Sequence, residues 1–158
     1  MKSPFWIYRP LLNPEDVYAW LVTQKVKKAV PADQLHLTLA TVREPTEWQH
    51  IKLEAGTIEI PYGEMPIQIF GWSMKAIAFQ NEQISNRIKA LARQFPRMDH
   101  ARAVRPHLST HKGGILPKEP YVGRLVFGPE EIRQFNEKSA RDIPHIKLKD
   151  IDSTSSEH

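Results

Sequence analysis

The sequence predicts an α+β domain built from two similar lobes that are related by a pseudo-twofold axis. The prediction rests on a strand–helix–strand pattern that occurs twice, across residues 5–42 and 74–111. Each unit ends in a strand with the pattern His-Leu-[Ser/Thr], and the two histidines, His36 and His107, are 71 positions apart. We expect the two equivalent strands to face each other across a cleft.

The composition limits the class of protein. The chain has 158 residues, which is enough for one hydrophobic core without disulfides. It has no cysteine, which is typical of proteins in a reducing compartment. No apolar run approaches the roughly 20 residues that span a bilayer, and the N-terminal apolar stretch is too short for a signal peptide. We therefore expect a cytoplasmic protein without a membrane segment.

The charge indicates the kind of ligand. A net charge of +4 and a sequence pI of about 9.4 suit an anionic ligand such as a nucleotide. The excess is weaker than the basic stripes of proteins that hold duplex DNA, so we expect no stable binding to a duplex. Ordinary surface lysines and arginines explain the charge equally well.

The first unit begins with an aromatic and β-branched segment at residues 5–9, which predicts a strand. Asn13, followed by a proline and two acidic residues, predicts a capped helix start. Apolar residues at helical spacing carry this helix to about residues 27–28. Residues 34–42 predict the strand that holds the first motif, and residues 46–48 predict a short helical turn.

The central segment and the second unit follow the same logic. Residues 57–60 and 67–70 alternate in polarity and predict two strands, which residues 62–64 connect. Residues 74–80 predict another strand, and Asn81 then caps a helix that ends before the next proline. A loop leads from this helix into the strand of the second motif.

The C-terminal part is less regular. Residues 122–127 predict a last strand, and the turn at 128–131 leads into a short helix that ends near residue 136. The polar composition after that point predicts a partly disordered tail. We expect one two-lobed domain over residues 1–138 and a C-terminal extension over residues 139–158.

The two motifs carry the candidate chemistry. In a strand, side chains two positions apart share a face, so His36 lies beside Thr38, and His107 beside Ser109. Cleavage of a phosphodiester by an adjacent 2′-hydroxyl needs a base and an acid that flank the phosphorus. Histidine suits both roles because its pKa lies near neutrality, and hydroxyls can donate hydrogen bonds to the phosphate oxygens. The alternative is a pair of structural strand histidines.

The paired motifs resemble those of the 2H phosphoesterase superfamily. Flanking segments resemble a phage branch of that superfamily, the anti-CBASS nucleases that destroy host cyclic oligonucleotide signals. These segments are Tyr8-Arg9-Pro10-Leu11-Leu12-Asn13, Leu35-His36-Leu37-Thr38-Leu39-Ala40, Arg105-Pro106-His107-Leu108-Ser109, Glu119-Pro120-Tyr121 with Gly123, and Phe127-Gly128-Pro129-Glu130. The resemblance covers about residues 7–135 and implies antiparallel sheets around a central cleft, with helices outside.

The resemblance also implies a function, namely metal-independent cleavage of 3′–5′ bonds in cyclic di- and trinucleotides in the host cytoplasm. It places the two histidines and their hydroxyl partners at the family's catalytic positions. It further implies that Tyr8 lies at the pocket edge, that Trp72 stacks on a base and that Glu130 contacts a base. Arg105, which flanks the second motif, is a candidate phosphate ligand, with a surface role as the alternative. No cofactor is implied, and protein partners are unknown.

Other readings of the same residues remain open. Another 2H activity, such as 2′,3′-cyclic phosphodiesterase or cleavage of 2′–5′ oligoadenylate, would use the same four residues. A sponge that binds the cyclic nucleotide without cutting it would use the same pocket. His111 lies four residues after His107 and could complete a three-histidine metal site, although no acidic ligand is placed to assist.

Overall fold

A computed structural model describes residues 2–70, 74–99, 105–114, 116–135 and 149–150. Trp72 and most of the predicted C-terminal extension lie outside the described residues. The elements, in chain order, are β1 (Lys2–Pro10), α1 (Pro14–Thr23), β2 (Lys28–Ala29), a 3-10 turn (Ala32–Gln34), β3 (His36–Glu47), β4 (Ile58–Met65), β5 (Ile67–Phe70), β6 (Met74–Ala78), α2 (Glu82–Gln94), β7 (His107–Lys112), β8 (Tyr121–Phe127), β9 (Glu131–Gln134) and β10 (Lys149–Asp150).

Six strands form the central sheet in the order β5-β6-β7-β3-β1-β9. Each paired neighbour is antiparallel. The order is symmetric about its centre, because β6, α2 and β7 repeat the arrangement of β1, α1 and β3. The predicted α+β fold with antiparallel sheets is therefore confirmed. The two motif strands do not face each other across open space, as we expected, but are neighbours at the centre of one sheet.

Alternation along the strands divides the sheet into a core face and an open face. Leu37 and Leu108 are both fully buried and belong to one hydrophobic core. The same core takes in apolar residues of both helices and of the antiparallel pair β4–β8. Burying these side chains supplies the main stabilising term of the fold, about 25 cal/mol per Å² of apolar surface. The opposite face of the sheet is thereby left for function.

The two helices begin differently. In α2 the Asn81 side chain accepts a hydrogen bond from the Ile84 amide at 2.9 Å, which confirms the predicted cap. In α1 the Asn13 side chain does not cap the helix, contrary to our expectation. Its Oδ1 instead accepts from the Val126 amide, and its Nδ2 donates to the Arg124 carbonyl, each at 2.9 Å. Asn13 therefore ties the helix start to β8.

One predicted helix is shorter in the structure than expected, and one predicted helical turn is part of a strand. The first helix ends at Thr23 because Lys25 has a φ of 59°, a left-handed conformation that stops an α-helix. The turn predicted at residues 46–48 is the end of β3, where Thr46 and Glu47 pair with the start of β1. Pairing across the sheet satisfies backbone groups that a single helical turn would leave unpaired.

Two further elements also differ from the prediction. Residues 62–64 are not a connection but part of β4, which continues past a register shift between Ile60 and Gly63. The helix predicted before residue 136 is β9, an edge strand that pairs with residues Phe5 to Tyr8 of β1. Four residues cannot satisfy their own backbone groups in a helix, whereas the edge of β1 offers them partners. In the described ranges, no helix is long and apolar enough to cross a membrane.

Candidate active site

The pairing of β3 with β7 brings the two motifs together. Leu37 is directly opposite Leu108, and both leucines point into the core. In an antiparallel pair, the adjacent positions then place Thr38 opposite His107 and His36 opposite Ser109. All four polar residues are half-buried on the open face. The structure thus forms a compact square of two imidazoles and two hydroxyls.

The two histidine rings are held in the same way. Nδ1 of His36 lies 2.6 Å from the Gln34 carbonyl oxygen, and Nδ1 of His107 lies 2.7 Å from the Arg105 carbonyl oxygen. A carbonyl oxygen can only accept a hydrogen bond, so Nδ1 of each ring carries the proton. Nε2 is then the nitrogen of each ring that can exchange a proton with a ligand.

The environment of His36 favours its neutral form. Burial is the main cause that lowers the pKa of His36, and repulsion from His107 and Arg133 lowers it further. The hydrogen bond to the Gln34 carbonyl acts in the opposite direction but is outweighed. At neutral pH His36 is therefore prepared to accept a proton.

An aromatic cluster surrounds His36. The Trp6 and Tyr8 rings stack with centroids 4.0 Å apart. Both form T-shaped contacts with the imidazole, whose centroid lies 4.8 Å from that of Trp6 and 5.7 Å from that of Tyr8. Tyr8 is only 5% exposed, so its ring offers little surface to a ligand. Trp6 is half-buried and is the more accessible ring.

Strand β9 adds two charged residues beside Tyr8. The Tyr8 hydroxyl donates a 2.6 Å hydrogen bond to Glu131, and the Arg133 guanidinium lies 5.6 Å from the centre of the Tyr8 ring. Burial and the hydrogen bond to Glu131 raise the pKa of Tyr8 to about 12, so the phenol stays protonated at neutral pH. Sequence analysis missed Arg133 and Glu131 because it predicted a helix there. The signal for a strand in the sequence was the short run of alternating polarity at residues 131–134, which in the structure pairs with the edge of β1.

The His107 side of the face has small residues in place of aromatic ones. Ala78 pairs with His107, and Ala76 pairs with Ser109. Arg105 is exposed and lines a cavity of about 440 Å³ that also borders Ala78. Arg105 therefore lies near the residue that pairs with His107, and its role as a phosphate ligand stays a prediction.

Glu130 is not brought to the open face. Its side chain is fully buried and accepts from Arg87 at 2.8 Å and from the Glu54 amide at 3.1 Å. Arg9, also buried, lies 3.8 Å from the same carboxylate and 3.1 Å from Glu54. These residues form a buried ion-pair network, in which each charge requires its partners. A base contact by Glu130, as the resemblance implied, has no accessible surface to use.

His111 does not join the other two histidines. It is buried, and its Nδ1 lies 2.8 Å from the Thr110 hydroxyl. A register shift between Lys75 and Ala76 interrupts the alternation of β7 at this point. Among the residues that the structure describes, no group of three histidines or acidic residues could hold a metal ion.

Comparison with known proteins supports the assignment of the fold. No protein-family model matches the chain. It is 26% identical over 150 residues to an Anti-CBASS protein Acb1 of Caulobacter sp. (strain RHG1) and 27% identical over 138 residues to one of Sphingomonas paeninsulae. The alignments cover 89% and 80% of this chain but 24% and 22% of those proteins. The chain thus spans about a quarter of the length of these relatives.

Solved structures of E. coli LigT, a 2H phosphoesterase, have the same fold. The apo form superimposes with a TM-score of 0.58 at 13% identity and covers 95% of each chain. The ATP complex gives a TM-score of 0.56 at 12% identity and covers 96% of each chain. At this level of identity the likeness concerns the fold.

Proposed function

We propose that this chain, a 2H phosphoesterase related to the anti-CBASS proteins, is a phosphodiesterase that cleaves cyclic oligonucleotide signals of the host. Its substrates are 3′–5′-linked cyclic di- and trinucleotides, and it needs no metal. The observation that carries the proposal is the pair of imidazoles on one face, each fixed through Nδ1 and each beside a hydroxyl. This arrangement supplies an acid, a base and two hydrogen-bond donors to a single phosphate.

The reaction begins with the 2′-hydroxyl next to the scissile bond. His36 Nε2 takes the proton of this hydroxyl while its oxygen attacks the phosphorus. The bond from phosphorus to the 5′-oxygen breaks, and His107, in its protonated form, gives that oxygen a proton. The products are a 2′,3′-cyclic phosphate end and a 5′-hydroxyl end. Thr38 and Ser109 donate to the non-bridging oxygens, where negative charge accumulates.

The difference between the two sides supports a division of roles between the histidines. His36 is more enclosed and its pKa is lowered, so it is neutral in the resting enzyme and acts as the base. His107 lies at the more open side and acts as the acid. The half-buried Trp6 ring stacks on the base of the nucleotide that carries the attacking hydroxyl. Arg105 neutralises phosphate charge on the His107 side.

The test is incubation with a panel of cyclic di- and trinucleotides, followed by chromatography. Crystals of LigT have been obtained with ATP and with 3′-AMP, which makes adenine substrates a sensible first choice. We expect linear product from 3′–5′ substrates, at the same rate with and without EDTA. His36→Ala and His107→Ala should each lower the rate about 100- to 10,000-fold, whereas the exposed His50→Ala should not.

Three outcomes would contradict the proposal. Loss of activity in EDTA would contradict the metal-free mechanism. Faster cleavage of 2′–5′ bonds, or of 2′,3′-cyclic phosphates alone, would assign a different 2H activity. Recovery of intact ligand after heat denaturation would identify a sponge that binds the signal without cutting it.

A further inference from the structure

A hollow borders Ala78, the residue that pairs with His107. It has a volume of about 440 Å³, within the range of ligand pockets, and is lined by Tyr62, Gln68, Ala78, Gln80 and Arg105 among others. The register shift of β4 between Ile60 and Gly63 shapes its outer wall. Of the residues that the proposed reaction uses, Arg105 lies at the edge of this space.

The hollow borders Ala78, a small residue of the second lobe. Tyr8 pairs with Thr38 and Ala76 pairs with Ser109, so Tyr8 corresponds to Ala76 in the repeat. In the first lobe the Tyr8 ring occupies the position beside the histidine. In the second lobe the equivalent residue, Ala76, has no ring, and Ala78 pairs directly with His107 at the border of the hollow. The small side chains on this side leave room for a flat group.

The side chains around the hollow suit a nucleobase. Tyr62 is 74% exposed, which is unusual for a large aromatic residue and leaves ring surface for stacking. Gln68 pairs with Ala76 and so shares the open face, where its amide can both donate to and accept from a base edge. Arg105, at the same cavity, adds a cation for the attached phosphate.

We propose that this hollow binds the nucleobase of the leaving-side nucleotide, the one that carries the 5′-oxygen released by cleavage. The assignment rests on the proposed function, in which His107 protonates that oxygen. Tyr62 stacks on the base, and Gln68 hydrogen-bonds its edge. Together with Trp6 on the His36 side, the hollow makes the enzyme recognise a base on each side of the scissile bond.

The test compares two substrates that differ only on the leaving side. Cyclic di-AMP has a nucleoside there, whereas adenosine 3′-(methyl phosphate) has a leaving group without a nucleobase or any other ring. Tyr62→Ala and Gln68→Ala should each raise KM for cyclic di-AMP about tenfold, as expected for the loss of one base contact. Both variants should cleave the methyl ester as the wild type does. Ile69→Ala is the control, because Ile69 is exposed on the other face of β5.

The possible results separate this inference from the proposed function. Unchanged KM for cyclic di-AMP, or equal losses on both substrates, would overturn the assignment of the hollow. If the wild type cleaves neither substrate, the phosphodiesterase proposal fails, and calorimetric titration with cyclic di-AMP decides the matter. In that case weaker binding by Tyr62→Ala than by Ile69→Ala supports a base-binding hollow, and equal affinity rejects it.

Discussion

On the His36 side of the open face two aromatic rings lie beside the histidine, whereas on the His107 side the paired residues are two alanines, and a hollow borders one of them, Ala78. The backbone treats both histidines alike, with the same Nδ1 contact to the carbonyl two residues earlier. A repeated frame can thus supply two similar imidazoles, and in the proposed mechanism their neighbours make one a base and the other an acid. The two histidines differ in the side chains packed around them and not in the motif itself.

After the two histidines, the largest effect is expected from the two hydroxyls beside them. Thr38→Val and Ser109→Ala each remove one donor to the phosphate oxygens and should lower kcat about 100-fold. Ser109→Thr keeps the hydroxyl and should retain most of the activity. Steady-state kinetics with cyclic di-AMP measure both. A loss confined to one of the two residues would show that the hydroxyls are not equivalent.

Beneath the His36 side, the buried ion pairs predict a loss of stability. Glu130→Ala leaves Arg9 and Arg87 without their shared carboxylate and should lower the free energy of unfolding by about 3–5 kcal/mol. Glu131→Ala, at the exposed edge, should cost about 1 kcal/mol. Urea denaturation provides the comparison. An unchanged stability, together with a higher KM for adenine substrates, would instead support a base contact by Glu130.

The aromatic cluster predicts a smaller effect on binding. Trp6→Leu removes the accessible ring beside His36 and should raise KM for cyclic di-AMP about tenfold. Trp48→Leu is the matched control, since Trp48 is equally half-buried but contacts Ser3 away from the motif residues. Equal KM values for the two variants would remove Trp6 from the binding site.

The finest distinction between the sides is electrostatic. Arg133→Gln removes a positive charge that lowers the pKa of His36, so this pKa should rise towards its ordinary value. If His36 is the base, activity requires its neutral form, and the acidic limb of kcat/KM must shift to higher pH. A pH–rate profile of both proteins tests this. A shift of the alkaline limb alone would give the role of base to His107.

Local pattern was enough to predict the frame of the molecule. The period of apolar residues identified both helices and the main strands, and the spacing of the repeat paired β1, α1 and β3 with β6, α2 and β7. Asn81 was correctly identified as a cap because its partner lies three residues away. The same reasoning misjudged Asn13, whose partners lie on β8, more than 100 positions along the chain.

The amino-acid sequence by itself therefore determined the α+β class, the duplication and the two His-Leu-[Ser/Thr] motifs, since each depends on neighbours within a few positions. Only the tertiary structure decided that β9 is a strand, that Trp6 and Arg133 lie at His36 and that Glu130 is buried. It also decided that a hollow borders Ala78, the residue that pairs with His107. These features arise from pairing between distant segments, where the backbone and charged groups of one strand are satisfied by another.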